Sequence, residues 1–350
     1  MGYLSISVSS RASSVGLTPV HRSSYIPVVQ SLVLAKRLKT PICWLRTKAV
    51  SLSARDPIRF RSAMAGTATT EKGKGDLQVF ESEEDLSVSL AKYTADLSEK
   101  FIRERGAFTV VLSGGSLIQS LRKLLESPYL ESVDWTKWHV SWVDERVVPK
   151  NHEDSNYKLA YDGFLSKVHK KRKKENARVS ALHCIRNYIF CTSISQVPIP
   201  PGNIYAINDT LTAEGAADDY EACLKQLVNN KVVDLSAASG FPKFDLMLLG
   251  MGPDGHVASL FPGHPLVNEN KRWVTFIKDS PKPPPERITY TFPVINSSAS
   301  IALVVCGSGK ADAVHRALGN QENSDLLPVQ IVSPEGKLTW FLDKPAASKL

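Results

Sequence analysis

One stretch of the sequence limits the folds open to this chain more than any other. Residues 244–264 read FDLMLLGMGPDGHVASLFPGH. The run Phe244–Leu249 is short and mostly apolar, which is typical of a parallel strand buried on both faces. Three glycines and a proline then end the strand, so that Asp254 and His256 leave it on one tight loop. Ligands of open α/β sheets bind outside the carboxyl ends of strands, which makes His256 a candidate catalytic base.

Apolar periodicity elsewhere predicts alternating strands and helices. Ser82 is a candidate N-cap for a helix that runs to Arg105, with three acidic residues in its first turn. The alternation predicts an α/β layered fold with a mostly parallel sheet. Further predicted helices are Leu117–Leu125, Asp154–Lys167 and Ala213–Val228, the last with Glu214, Asp218, Asp219 and Glu221 on its solvent face. Further predicted strands are Phe108–Leu112, Trp138–Val143, one entering from Pro198–Ile207, Trp273–Ile277, Ile288–Phe292, Ile301–Val305 and Leu338–Leu342.

The net charge of +8 comes from two segments outside the predicted core. Residues 1–70 hold ten Lys or Arg and one acid, and residues 168–196 hold seven Lys or Arg and one acid. The remainder therefore carries −7, so the pI of about 9.1 gives no support for nucleic-acid binding. No apolar run approaches the roughly 18 residues that span a bilayer, and we expect no membrane partner.

The two ends of the chain resemble cellular addresses. Residues 1–70 are rich in Ser and Arg and nearly free of acids, which is the composition of a plastid transit peptide. The last three residues, Ser348, Lys349 and Leu350, form the peroxisomal tripeptide. We therefore expect import receptors as partners and a location in the chloroplast stroma and also the peroxisome. A start at Met64 would leave the protein in the cytosol.

The turn Ser113-Gly114-Gly115-Ser116 lies between a predicted strand and a predicted helix. Backbone N–H groups in that geometry point at an anion, and the two serines add hydroxyl groups. The turn is neither G-x-G-x-x-G nor a Walker loop, so we expect no bound nucleotide.

Five motifs in the same order resemble 6-phosphogluconolactonase. They are Leu112–Ser116, Trp142–Arg146 followed by Ser155-Asn156, Gly250–Pro262, Pro284–Thr289 and Gly309-Lys310. The resemblance covers about Leu77–Leu342. It implies a Rossmann-like α/β sandwich, no metal or other cofactor, and hydrolysis of 6-phospho-D-glucono-1,5-lactone to 6-phospho-D-gluconate in the oxidative pentose phosphate pathway.

The resemblance also assigns roles to particular residues. His256 would be the general base that activates water, and Asp254 would orient the imidazole or hold the sugar. The phosphate of the sugar lactone would be held by Ser113, Gly114, Gly115 and Ser116 together with Arg146 and Lys310. Arg287 is a further candidate for substrate contact, on the least specific motif. Asp144 is expected to be a local partner of Arg146 rather than a catalyst.

Two other functions stay open at this point. Glucosamine-6-phosphate deaminase/isomerase, in the same superfamily, carries a glutamate five residues after the histidine, where this chain has Phe261. This difference favours the lactonase. A non-enzymatic interaction protein is the other alternative, if a segment without family counterpart disables the site.

That segment is residues 168–196, which interrupt an otherwise single domain, 71–350. Without this segment, the chain would run from a predicted helix through a short loop into a predicted strand, with the spacing found in the family. The segment begins with Val and ends with Gln, whose codons can supply the boundary dinucleotides of an intron. We interpret it as a retained in-frame intron or a gene-model error. If it is translated, its basic run, 170–174, suggests a nuclear-localisation or polyanion-binding patch, but we favour a solvated loop.

Overall fold

A computed structural model describes residues 75–166, 199–319 and 325–350. The predicted transit segment 1–70 and the insertion 168–196 lie outside these ranges. The described residues carry both hydrophobic clusters and every motif discussed above.

The described residues form a seven-stranded sheet in which every neighbouring pair is parallel, in the order β1-β12-β11-β8-β2-β3-β5. This confirms the predicted α/β fold with a mostly parallel sheet. Each predicted strand is present with ends that differ by at most two residues, except the short one near Ile204. The strands are β1 (Asp76–Phe80), β2 (Phe108–Leu112), β3 (Trp138–Trp142), β4 (Asp144–Arg146), β5 (Ile204–Tyr205), β6 (Asp234–Leu235), β7 (Pro242–Lys243), β8 (Leu246–Gly250), β9 (Val274–Ile277), β10 (Arg287–Tyr290), β11 (Ser300–Val305) and β12 (Lys337–Asp343).

Alternate strand residues feed two hydrophobic clusters on opposite faces of the sheet. Along β8, Met247 and Leu249 join one cluster, while Leu246 and Leu248 join the other. This two-sided burial explains why the strand reads as an unbroken apolar run. Helices cover both faces and complete the sandwich. They are α1 (Glu83–Arg105), α2 (Leu117–Ser120), α3 (Tyr129–Ser132), α4 (Asn156–Ala160), α5 (Ala213–Asn229), α6 (Phe292–Asn296), α7 (Ala311–Leu318) and α8 (Pro328–Ile331).

Helix α1 begins and ends where its sequence predicts. The Ser82 side chain accepts a hydrogen bond from the backbone N–H of Asp85, which satisfies one free donor of the first turn. Gly106 ends the helix with a φ of 77°, a conformation that glycine adopts without strain.

A second, three-stranded antiparallel sheet was not predicted from the sequence. Its order is β4-β10-β9. Asp144-Glu145-Arg146 had been expected only to end the preceding strand, whereas these residues form β4 and pair with β10. Three residues give too short a pattern for periodicity to identify, and the pairing partner is far away in the sequence.

Two predicted helices are each divided into two pieces. The segment Leu117–Leu125 divides into α2 and a 3₁₀ turn at Arg122–Leu125, both packed beneath α1. Asp154–Lys167 becomes α4 followed by a wider π turn at Tyr161–Leu165.

The prediction that Glu221 lies on the solvent face of α5 was wrong. This residue is half-buried, and its carboxylate accepts hydrogen bonds from the backbone N–H groups of Trp273 and Val274 at the start of β9.

Candidate active site

A cavity of about 310 Å³ opens at the carboxyl ends of the central strands. It is bordered by the turns that follow β2, β8 and β11, as expected for an open parallel sheet. All predicted site residues except Asp254 line it, and Asp254 contacts it through His256. The lining includes Ser113, Gly114, Gly115, Ser116, Asp144, Arg146, Asn156, Gly252, His256, Lys282, Arg287, Cys306 and Lys310.

The loop after β8 holds an imidazole and a carboxylate together. The Nδ1 atom of His256 lies 2.5 Å from Oδ1 of Asp254. The backbone N–H of Gly252 donates to the His256 carbonyl, which closes the loop. A Cβ on Gly252 would come within about 2.0 Å of the imidazole Nδ1, so only glycine fits this closure.

Lys282 is the third member of this group, and the sequence analysis did not identify it. Its Nζ lies 3.1 Å from the Asp254 carboxylate and 3.2 Å from Nδ1 of His256. Burial alone would raise the pKa of Asp254, but the hydrogen bonds and charges of His256 and Lys282 outweigh burial and bring that pKa to about 2. An ionised Asp254 at 2.5 Å assigns the ring proton to Nδ1 and leaves Nε2 as an acceptor.

The pKa of His256 lies below its ordinary value. Burial is the largest cause, and the positive charge of Lys282 acts in the same direction, while Asp254 opposes them. The imidazole is therefore neutral at physiological pH, as a general base must be.

Phe261 forms the floor under the histidine. It is fully buried, and the centroids of the Phe261 and His256 rings lie 4.7 Å apart. The Arg287 guanidinium lies over the same ring, 5.7 Å from its centroid. An apolar ring, and no carboxylate, thus occupies the position five residues after the histidine.

The turn Ser113–Ser116 lines the opposite part of the cavity. Within the described residues, the backbone N–H groups of Gly114, Gly115 and Ser116 donate to no protein acceptor. The Ser113 hydroxyl is buried and is likewise unpartnered there. The following helix, α2, is a single turn, so the free N–H donors on this side of the cavity are those of the Ser113–Ser116 turn itself.

Asn156 packs directly against this turn. A Cβ on Gly114 would lie 1.9 Å from Oδ1 of Asn156, which shows how closely the two segments meet. The Asn156 amide donates to the Asp144 carbonyl at 3.0 Å and links the turn to β4. The sequence contained a partial signal for Asn156, since Ser155-Asn156 belongs to one of the five motifs.

Arg146 places a partly unpaired guanidinium in the cavity. One Nη1 hydrogen bond goes to the Asp154 carbonyl at 2.7 Å, while Nε is buried and has no partner among the described residues. Arg146 lies directly opposite Arg287 in the β4–β10 pairing. Two cations in opposed positions repel each other unless an anion is bound between them.

Arg287 has a different environment from the one expected for a substrate ligand. Its Nε and Nη2 atoms donate to the carbonyls of Lys282, Pro283 and Pro284 at 2.9–3.0 Å. These bonds fix the loop that carries Lys282. Burial lowers the pKa of Arg287, and the charge of Arg146 lowers it further.

Lys310 lies at the turn after β11. Its Nζ donates to the Met251 carbonyl at 2.8 Å, next to the glycine loop of His256. Burial lowers the pKa of Lys310, and the charge of Lys282 adds to this effect.

The expectation that Asp144 partners Arg146 was wrong. Its Oδ2 accepts from the Ser259 hydroxyl at 2.8 Å, and among the described residues no ion pair joins it to Arg146. The loop after β8 supplies Ser259 as the hydrogen-bond partner of Asp144 instead.

The site therefore combines a neutral imidazole held by a carboxylate with four cations and a set of free N–H donors. Such an arrangement can deprotonate a water molecule and bind a doubly charged anion. Lys282 was missed because its proximity to Asp254 depends on a proline loop folding back across 28 residues. Among the described residues, no three His, Cys, Asp or Glu side chains cluster to hold a metal ion, and none of the described helices is long and apolar enough to cross a bilayer.

Residues 81–340 match the family described as glucosamine-6-phosphate isomerases/6-phosphogluconolactonase. A relative from Oryza sativa subsp. indica, named probable 6-phosphogluconolactonase 4, chloroplastic, is 66% identical over 277 residues, which are 79% of this chain and 76% of the relative. A relative from Arabidopsis thaliana, named 6-phosphogluconolactonase 3, chloroplastic, is 61% identical over 293 residues, which are 83% of this chain and 81% of the relative.

Solved structures share the fold. The crystal structure of 6-phosphogluconolactonase from Thermotoga maritima is similar with a TM-score of 0.56 and 26% identity, covering 77% of this chain and 99% of the other.

Proposed function

Because the chain belongs to the glucosamine-6-phosphate isomerase/6-phosphogluconolactonase family, we propose that it hydrolyses 6-phospho-D-glucono-1,5-lactone to 6-phospho-D-gluconate, the second step of the oxidative pentose phosphate pathway. The observation that carries the proposal is the single cavity that brings the His256–Asp254 pair together with Arg146, Lys282 and Lys310. A lactone of a phosphorylated sugar needs both parts of this site, the imidazole for the ester bond and the cationic half for the phosphate.

The cationic half supports binding of the phosphate. The buried Nε of Arg146 has no partner among the described residues. Burial lowers the pKa of the opposed Arg287, and the charge of Arg146 lowers it further. Lys282 has the same effect on Lys310. A phosphate dianion between these groups relieves their repulsion, and the N–H donors of Gly114–Ser116 add contacts that a neutral ligand would not use.

The imidazole performs the proton transfers of the reaction. Nε2 of His256 takes a proton from water while the water oxygen attacks the lactone carbonyl carbon, and the carbonyl π electrons move to its oxygen. Asp254 accepts the Nδ1 proton in a hydrogen bond and stabilises the imidazolium that forms. Loop N–H groups and the nearby cations stabilise the tetrahedral oxyanion.

Ring opening reverses the proton flow. The oxyanion reforms the carbonyl, the bond from the carbonyl carbon to the ring oxygen breaks, and the imidazolium gives its proton to that oxygen. The net change is the addition of one water molecule across the ester bond. His256 returns to the neutral form, so no oxidant, reductant or further reactant is needed.

The deaminase/isomerase alternative is disfavoured by Phe261. A buried phenyl ring lies against the imidazole, and it supplies no carboxylate for proton transfer at that position. Ammonia release from glucosamine 6-phosphate by the purified protein would favour this alternative over lactone hydrolysis.

The decisive experiment measures lactone hydrolysis with the spontaneous rate subtracted. We expect His256→Ala to lower kcat by roughly 10²–10⁴-fold, the usual contribution of a general base. His264→Ala is the matched control, because His264 lies on the same segment but outside the cavity and pairs with Asp279. Unchanged hydrolysis in His256→Ala would contradict the mechanism.

We also propose two locations for the protein. The relatives above carry the word chloroplastic in their names, in agreement with the composition of residues 1–70. Ser348, Lys349 and Leu350 are exposed at the end of the fold, which supports reading of the tripeptide by a peroxisomal receptor. Imaging a tag placed upstream of the intact C-terminus, with and without the first 63 residues, tests both addresses; no peroxisomal signal in either form counts against the second.

The segment 168–196 remains interpreted as a retained intron. Leu165 and Ile199, which flank it, are both buried in the same hydrophobic cluster, so the domain is anchored on both sides of the segment. We expect a chain without residues 168–196 to hydrolyse the lactone. Amplification of the transcript across this region tests its origin, and a message dominated by the longer form would contradict the intron.

A further inference from the structure

Glu145 is a buried carboxylate that the proposed reaction does not use. It lies in the middle of β4, between Asp144 and Arg146, and is 2% exposed. Within the described residues no Lys, Arg or His forms an ion pair with it. A buried charge without a cation is costly unless hydrogen bonds replace its water. The identity of those bonds indicates why a carboxylate is there.

Four hydrogen bonds satisfy this carboxylate, and each comes from a segment that builds the cavity. Oε1 accepts from the backbone N–H groups of Arg146 at 2.8 Å and Asn156 at 2.7 Å. Oε2 accepts from the backbone N–H of Tyr157 at 2.7 Å and from the Ser155 hydroxyl at 3.4 Å. One side chain therefore joins β4 to the start of α4.

This junction controls two side chains of the cavity wall. Arg146 and Asn156 stand at the two ends of the loop 147–155, and both of their backbone N–H groups reach the same oxygen of Glu145. The Arg146 guanidinium then donates to the Asp154 carbonyl, just before α4. If the carboxylate were lost, the loop ends would separate, and the direction of the guanidinium would no longer be fixed.

The hydrogen bonds to Glu145 favour its ionised form, whereas burial favours the protonated form. Burial raises its pKa to about 7, while the N–H groups of Arg146, Asn156 and Tyr157 act in the opposite direction. A neutral amide of the same shape would place an NH₂ group against at least one of these donors, so Gln cannot reproduce the full set of bonds.

We propose that Glu145 is a positioning residue that sets Arg146 and Asn156 for the phosphate of the substrate, and thereby selects phosphorylated over unphosphorylated lactones. This proposal rests on the proposed role of Arg146 as a phosphate ligand. It differs from a purely stabilising role, which would affect the two kinds of substrate equally.

The test compares two substrates, 6-phospho-D-glucono-1,5-lactone and D-glucono-1,5-lactone. We expect Glu145→Gln to raise KM for the phosphorylated lactone about tenfold, the scale of one hydrogen bond to a charged group, with kcat changed less than about threefold. The kcat/KM for the unphosphorylated lactone should not change. In an Arg146→Met background, Glu145→Gln should add less than about twofold, because the phosphate-binding guanidinium that it positions is gone.

Asp245→Asn is the matched control. Asp245 is also a buried carboxylate that accepts from backbone N–H, but it lies away from the cavity and binds Arg105 and Thr109. Its loss should destabilise the fold without changing the preference for the phosphorylated lactone. Equal losses on both lactones in Glu145→Gln, or a full loss on top of Arg146→Met, would overturn the proposal.

Binding measurements separate this proposal from the proposed function. If the wild type hydrolyses neither lactone, the reaction is wrong, but calorimetric titration with 6-phospho-D-gluconate still tests the positioning. About tenfold weaker binding to Glu145→Gln supports it, with Arg146→Met weakened as well. An unchanged Kd in Glu145→Gln, or no binding to the wild type, overturns it.

Discussion

His256 lies between an anion and a cation that shift its pKa in opposite directions. Asp254 raises the pKa of the His256 ring, and Lys282 lowers it. Burial has the largest effect and also lowers this pKa. In the proposed mechanism the neutral imidazole is the base, so activity should fall as pH drops through the His256 pKa. The pKa of Asp254 lies at about 2, and its carboxylate therefore stays ionised throughout that range. Of these two residues, His256 should therefore be the one that titrates on the acid limb of the pH profile.

The two neighbours give a pair of opposite predictions. Asp254→Asn removes the anion, lowers the pKa of His256 and should move the acid limb of kcat/KM to lower pH, with a reduced plateau because the ring loses its orientation. Lys282→Met removes the cation, raises the pKa of His256 and should move the acid limb to higher pH. Rate profiles between about pH 4 and 8, around the ordinary histidine pKa, measure both shifts. Shifts of the same sign in both variants would contradict the charge arrangement.

The loop after β8 is the element on which the proposed chemistry depends. Its sequence indicated a tight turn with His256 and Asp254 leaving a buried strand, and the structure confirms the strand and its end. The glycine requirement at each position was not readable from the sequence. Gly252 meets the imidazole and Asp254 side chains, whereas Gly202 and Gly309 face open space. Only the folded loop distinguishes these positions.

A methyl group at Gly252 should therefore disrupt catalysis without unfolding the domain. Its Cβ would lie 2.0 Å from His256 Nδ1 and 2.5 Å from Asp254 Oδ1, so the pair must separate. We expect Gly252→Ala to lower kcat about 100-fold, the lower part of the range for a general base. Gly202→Ala is the control, because nothing lies within 4 Å of its Cβ and its φ is not positive. Equal activity of the two variants would show that the loop relaxes freely.

The second sheet is the element that sequence patterns missed. Strand β4 has three residues, and its partner β10 lies about 140 positions later in the chain, as the pairing of Arg146 with Arg287 shows. The motif containing Asp144-Glu145-Arg146 pointed to function, but neither the opposed arginines nor the buried Glu145 followed from it. Long-range pairing of this kind leaves no local pattern in the sequence of either strand.

At the scale of the whole molecule, one buried ion pair joins α1 to the amino ends of the central strands. Arg105, the last residue of α1, donates to the Asp245 carboxylate at 2.7 Å and to the Val232 carbonyl at 3.0 Å. Asp245 also accepts from the backbone N–H of Thr109 at 2.7 Å. These contacts hold the side of the sheet opposite the cavity, and the sequence had shown Asp245 only as a polar interruption of an apolar run.

Removal of the arginine should leave the carboxylate buried and unpaired. We expect Arg105→Met to lower the free energy of unfolding by about 3 kcal/mol at neutral pH, the usual cost of breaking a buried pair. Burial already raises the pKa of Asp245, opposed by Arg105. Without Arg105 the pKa rises further, so the folded state binds its proton more tightly than the unfolded state does. The loss of stability should therefore shrink as pH falls toward the ordinary Asp range near 4.

Chemical denaturation of the wild type and Arg105→Met at neutral and acid pH measures this difference. Arg122→Met is the control, because Arg122 pairs with Glu83 and Glu84 on the surface and should cost less than about 1 kcal/mol. A loss in Arg105→Met that does not depend on pH would assign the effect to packing instead.

The sequence by itself determined the parallel α/β core, the strand ends that border the cavity and the eight proposed site residues that line it. It could do so because buried parallel strands leave unbroken apolar runs and glycine turns mark their ends. Tertiary structure alone decided that Lys282 reaches Asp254, that Arg287 holds the proline loop, and that Asp144 binds Ser259 while Glu145 joins β4 to α4. These contacts link segments that are far apart in the chain. A local sequence pattern does not predict which distant segment will supply the hydrogen-bond donor.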